Sequence, residues 1–248
     1  MSNRLLAKSL SQELGDSVYL ANHLREVFDA ANGLLAATAS IQLESLGLGE
    51  DWLPRFESAA KLAAVIHDLG KANDHFQGMI DPNCWPERKE RRQGLRHEWV
   101  TGLMIREFGL VDWLAPYWEN DQVMFMAAMW AVQGHHPKPL RPSPPETVMA
   151  GAGDRMTLLL GHDEFDRCLR VVASALESKE PPMFTDVTVS LAGNKSVFKS
   201  IEERGSEEEN SAPRSPDDAV VCSWDDGNAS CRIGGTGGDV EVDRAACC

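Results

Sequence analysis

Residues 55–71 read RFESAAKLAAVIHDLGK. Phe56, Ala59, Ala60, Leu62, Ala63, Val65 and Ile66 recur at helical spacing, which predicts a core-facing helix over 55–69. Pro54 near its start and Gly70 just past its end are the residues expected at helix termini. A helix whose buried face ends on a histidine and an aspartate, with a lysine three residues later, is unusual. One imidazole beside one carboxylate is either a polar end to a core helix or part of a metal site, and the rest of the chain decides between them.

The flanking segments are also helical. Residues 17–46 carry Leu20, Leu24, Val27, Ala31, Leu34 and Leu35 at helical spacing. Further helices are predicted at 97–108, ending at Gly109, at about 121–133, ending at Gly134, and at 162–178, with Phe165, Cys168, Leu169, Val172 and Leu176 on one side. Residues 72–96 read as a helix end followed by a polar loop. HHPKPLRPSPPE, with five prolines in twelve residues, reads as a loop. The expectation is an all-α bundle over residues 1–204, followed by an acidic, Gly/Ser-rich tail over 205–248 that lacks periodicity and is expected to be disordered.

Composition narrows the class. The chain has 248 residues, 43% apolar and 25% charged, enough for one large domain with a real core. Of the net charge of -14, residues 202–248 contribute -8, so the body is only mildly acidic and no global basic charge advertises nucleic acid. The first residues lack the apolar core of a signal peptide, and the longest apolar run, 123–132, is about half of a membrane span. A cytoplasmic protein with no membrane partner is expected. Four of the six cysteines lie in the last 27 residues and none forms a CxxC pair, which argues against a zinc ribbon or a disulfide scaffold.

The histidines carry the functional signal. His67 ends one helix, His97 begins another, His135 and His136 follow a third, and His23 lies inside the first. Singly each is ambiguous: His23 suits a half-buried helix residue bonded to a carbonyl, His97 a surface helix terminus, and the histidine pair a loop. Together, H-(43)-HD-x-G-K-(25)-H-(37)-HH places imidazoles at several helix ends that can converge on one point. Imidazole nitrogen and carboxylate oxygen suit divalent transition metals, and Asp68, with two oxygens, is the natural bridge between two cations.

This pattern resembles the HD-domain nucleases of type I CRISPR interference, the HD half of a helicase-nuclease, over roughly residues 15–200. The resemblance implies an HD-domain helical bundle acting as a metal-dependent endonuclease or exonuclease. Its expected reaction is cleavage of single-stranded DNA in antiviral defence, alongside a CRISPR helicase and an RNA-guided surveillance complex. It also implies two divalent ions, of manganese, nickel, cobalt or iron, with magnesium as a further candidate. One would be held by His23, His67, Asp68 and a final aspartate, the other by Asp68, His97, His135 and His136. Asp68 and Lys71 are the expected catalytic residues. The family's pair is often followed by glycine, here by Pro137, and its final aspartate is unassigned among Asp154, Asp186 and Asp243.

Lys71 is expected either to offset charge on a phosphate or to be an exposed lysine at a helix C-terminus. Arg88, Lys89, Arg91, Arg92 and Arg96 precede His97 and are candidates for steering a strand, with Trp85 or Trp99 as a stacking surface; a solvated loop face is the alternative. No GxxxxGK[ST] motif occurs, so a helicase is expected on a separate chain unless this chain is a fragment of a fused protein. Two other readings remain: an HD phosphohydrolase acting on nucleotides or cyclic dinucleotides, and an inactive truncated HD module.

Overall fold

The computed structural model describes residues 4–9, 12–83, 85, 93–118, 121–136, 155–191, 220–225 and 228–233. The chain divides into two units, Met1–Asn194 and Lys195–Cys248. Seven α-helices lie among the described residues of the first: α1 Leu20–Ser45, α2 Leu53–Ile66, α3 Asp74–Ile80, α4 His97–Glu107, α5 Leu110–Trp118, α6 Gln122–Gly134 and α7 Asp163–Ala175. The fold is helical, as expected. Among the described residues, no helix is long and apolar enough to cross a membrane.

Helix α1 buries Leu20, Ala21, Leu24, Phe28, Leu35, Ala39 and Leu43 along one stripe, which packs on α2 and α7. Each fully enclosed leucine there, such as Leu20 or Leu24, is worth roughly 1.5–3 kcal/mol over its exposed state. The helix stops where Gly47 takes a left-handed backbone with φ 71°. The Gly47 and Leu48 amides then return to the carbonyls of Glu44 and Leu43 at 3.0 and 2.9 Å, satisfying groups that a helix end leaves open. Helix α2 lies at the centre, with Leu62, Val65 and Ile66 wholly enclosed and small Ala59 and Ala63 permitting close approach. It packs on α1, α6 and α7. Phe56 and Ala60, expected in the core, are half-buried.

Helix α5 was not anticipated, because Pro116 interrupts the sequence pattern and lacks an amide proton for the helix ladder. It nevertheless buries Leu110, Leu114 and Trp118. A short antiparallel pair, β1 Arg155–Leu158 and β2 Val187–Ser190, was not anticipated either. It is tacked to the segment following Lys71: the Leu159 amide donates to the Ala72 carbonyl, and the Thr157 amide to Asp74 Oδ1, both at 2.9 Å. In the second unit, β3 Val220–Asp225 and β4 Asn228–Ile233 pair antiparallel, so the described part of the tail is a hairpin. The expectation of disorder over the remainder falls outside the described residues.

Candidate metal centre

The turn after α2 is shaped by the approach of α4. A Cβ on Gly70 would lie 2.0 Å from the His97 carbonyl oxygen and 2.4 Å from the Thr101 amide nitrogen, so only glycine lets the two backbones come this close. The Gly70 amide donates to the enclosed Thr101 hydroxyl at 2.8 Å. That hydroxyl in turn lies 3.1 Å from the carbonyls of both His67 and His97. Asn73 caps α3 by accepting from the Phe76 amide at 2.8 Å. These contacts hold Asp68, the residue between α2 and the 69–71 turn, against the first residue of α4.

Asp68 is 1% exposed and lies among imidazoles from four helices or their ends. Its two oxygens divide them. Oδ2 lies 3.1 Å from His23 Nε2, 3.1 Å from His67 Nε2 and 2.6 Å from Lys71 Nζ. Oδ1 lies 3.1 Å from His97 Nε2 and 3.5 Å from His135 Nε2, with no hydrogen bond of good geometry to either. His136 completes the second set, its ring centroid 4.2 Å from that of His135 and 5.0 Å from that of His97. Two groups of metal-competent donors result: His23, His67 and Asp68, and Asp68, His97, His135 and His136, with ligand atoms in each group within 4.8 Å of one another. The structure thus brings together His23, His67, Asp68, His97, His135 and His136, with no further aspartate among the described residues joining the first group.

Position on helix ends explains why histidines can serve here. A helix leaves its last carbonyls without partners. His67 Nδ1 donates back to the Ala64 carbonyl at 2.8 Å, and His135 Nδ1 to that of Val132 at 2.5 Å. With the Nδ1 proton committed, a neutral ring presents a bare Nε2 lone pair to the carboxylate. Lone pair against carboxylate oxygen is repulsive unless a cation or an added proton lies between them. His97 Nε2 and His135 Nε2 also face each other at 3.3 Å, the same conflict between two ring nitrogens. A divalent cation resolves all these contacts at once, and nitrogen with carboxylate oxygen suits the borderline transition metals. The residues present fit a metal.

Burial by itself would push the Asp68 carboxyl up. The imidazoles of His135, His23, His67 and His97 outweigh it and hold the group well below the usual carboxylate range. Burial lowers His97, and it lowers His136 together with the neighbouring rings of His135 and His97. For His135 burial also pulls down, yet Asp68 and the Val132 carbonyl prevail and raise it. His135 Nε2 therefore keeps a competing proton above the ordinary imidazole range, and metal must displace it. Metal affinity is expected to rise with pH through the ordinary imidazole range and beyond it, by about tenfold per pH unit while one proton is displaced. Calorimetric titration with Mn²⁺ at several pH values measures this; a flat profile would refute the competition.

Lys71 differs from one of its two readings. It is not an exposed helix-terminal lysine: it is 8% exposed, lies in a 3-10 turn, and its ammonium sits on Asp68 Oδ2 and 5.2 Å above the Phe76 ring. Of the basic loop, Arg88, Lys89, Arg91 and Arg92 lie outside the described residues. Arg96 is described, and its guanidinium faces Glu98 and the His136 carbonyl. Trp85 and Trp99 are both half-buried. Among the candidates for a final aspartate, Asp186 accepts from the Gly161 amide at 2.8 Å and belongs to neither donor group, while Asp154 and Asp243 lie outside the described residues. Sequence reasoning missed Thr101 and the enclosed Glu98; the adjacency of Glu98 to His97 was the available signal.

Residues 6–197 match the family model described as Cas3, HD domain. A Myxococcus xanthus (strain DK1622) protein named as a CRISPR-associated nuclease/helicase Cas3 is 32% identical over 198 residues, which cover 77% of this chain. The chain spans 25% of that relative's length. No solved structure gives a significant match.

Proposed function

Because the chain belongs to the Cas3 HD-domain family, we propose that it is a metal-dependent nuclease that cuts single-stranded DNA in CRISPR antiviral defence. It would act in the cytoplasm with a CRISPR helicase and an RNA-guided surveillance complex. The observation that carries the reading is the division of Asp68, one oxygen facing His23 and His67 and the other facing His97 and His135. A residue shared in this way suits two ions. A phosphohydrolase working with a single ion would leave His97, His135 and His136 idle, whereas all three crowd the centre.

Bound divalent metal supplies Lewis acidity towards a phosphodiester and an activated water at neutral pH. The chain's residues supply the rest. His67 and His135, fixed through Nδ1 by helix-end carbonyls, aim Nε2 inward and cannot rotate without losing those bonds. Asp68, nearly sealed from solvent, keeps its charge and holds the two imidazole sets in register. Lys71 adds a fixed positive charge beside Asp68 Oδ2, where it would offset the charge that builds on the phosphate oxygens when water attacks phosphorus.

Two measurements test the reading. Full-length protein should cleave a labelled single strand with at least one of Mn²⁺, Ni²⁺, Co²⁺ or Mg²⁺ and release no product in chelator. Absence of cleavage with all four would contradict it. Lys71→Met should slow cleavage by about 10²-fold, the usual cost of one lost electrostatic donor. It should not weaken metal binding, because the ammonium competes for the same carboxylate oxygen. Loss of metal in that variant would make Lys71 a structural residue only.

A further inference from the structure

Glu98 is a buried carboxylate next to the centre with no part in the donor groups. It is 1% exposed, and neither of its oxygens has a hydrogen bond of good geometry. Its charged neighbours are Arg96, whose Nη2 abuts Oε1, and His97, whose Nδ1 lies 3.5 Å from Oε2. Enclosing an ionised carboxylate is costly unless something nearby uses its charge. Arg96 answers Oε1, and the group beside Oε2 is the His97 ring, which presents its other nitrogen, Nε2, to Asp68 Oδ1 and His135 Nε2. The same Arg96 nitrogen also donates to the His136 carbonyl at 3.0 Å, so one guanidinium ties the start of α4 to the end of α6.

We propose that Glu98, braced by Arg96, is a positioning residue that draws the His97 proton to Nδ1 and turns Nε2 inward as a metal donor. His67 and His135 use helix-end carbonyls for this purpose. His97 cannot, because it is the first residue of its helix, where amides rather than carbonyls are open. The adjacent glutamate replaces the missing carbonyl, and a carboxylate also raises the basicity of the ligating nitrogen. Arg96 is thereby assigned to the frame of the centre, holding His97 and His136 together, and not to a nucleic-acid track. The proposal rests on reading the cluster as a metal centre.

The test has one readout that needs no metal. In full-length, metal-free protein at about pH 8, nitrogen NMR of the imidazoles should find His97 Nδ1 protonated in wild type and in Glu98→Gln, whose amide oxygen still accepts. In Glu98→Ala the proton should move to Nε2, where Asp68 is the remaining carboxylate. Titration with Mn²⁺ alone should then show affinity about 10–100-fold weaker in Glu98→Ala and largely retained in Glu98→Gln. Should Glu98→Ala fail to fold, Glu98→Leu fills the space without an acceptor, and the wild-type resonance already decides. An unprotonated His97 Nδ1 in wild type, or wild-type Mn²⁺ affinity in Glu98→Ala, would overturn the proposal. Wild-type protein that binds no Mn²⁺ refutes the metal-centre reading instead, and the resonance still decides whether Glu98 sets the ring.

Discussion

Asp68→Ala is expected to abolish metal binding and strand cleavage together. Removing a group that merely supports a ligand usually costs 10–100-fold in metal affinity. Asp68 is more than a support: it is the residue common to both donor groups and the carboxylate of each. Its loss should therefore weaken binding by more than about 100-fold and bring cleavage to background. The substitution leaves the apolar faces of α1, α2, α4 and α6 in place but deprives the buried Lys71 of its carboxylate, so a lower unfolding temperature is expected with the fold retained. Calorimetry with Mn²⁺ and cleavage of a labelled single strand, with thermal unfolding as control, measure this. A folded Asp68→Ala protein that binds or cuts like wild type would show that the centre lies elsewhere.

Gly70→Ala is expected to be the most damaging added methyl among the described glycines. The added carbon would meet backbone, the His97 carbonyl at 2.0 Å and the Thr101 amide at 2.4 Å, and backbone cannot swing aside as a side chain can. Overpacking costs about 1–3 kcal/mol where side chains can adjust, and at least the upper end of that is expected here. The damage should not stop at stability. Displacing α4 from the 69–71 turn parts His97 from Asp68 and breaks the Gly70–Thr101 bond, so metal affinity should fall even in the folded fraction. Denaturant unfolding and metal titration of the same sample measure both effects. An unchanged midpoint would mean that α4 is free to retreat.

The sequence was most legible where periodicity and residue chemistry coincide. His67 and Asp68 stood out because an apolar helix ended on them, and His23, His97, His135 and His136 because each lay on or beside a helix segment. Less legible were contacts made by the fold itself. Nothing in HDLGK says that another helix's carbonyl will rest on its glycine, or that its lysine will be drawn inward onto its own aspartate. Helix α5 was hidden by Pro116, and β1 and β2 by their four-residue length. The hairpin of the tail did leave a trace. Asp226-Gly227, which in sequence separates Asp225 from Asn228, is a dipeptide favoured in tight hairpins, but it lies within acidic, Gly/Ser-rich sequence whose composition predicts disorder.

The central claim, that His23, His67, Asp68, His97, His135 and His136 form a metal centre, is tested most directly by anomalous diffraction from crystals of the full chain grown with Mn²⁺. Two peaks are predicted on opposite sides of the Asp68 carboxylate. One should lie about 2.0–2.2 Å from the ligating nitrogens of His23 and His67, the other at that distance from those of His97, His135 and His136. Imidazoles in the same positions with no anomalous peak between them and Asp68 would contradict the account.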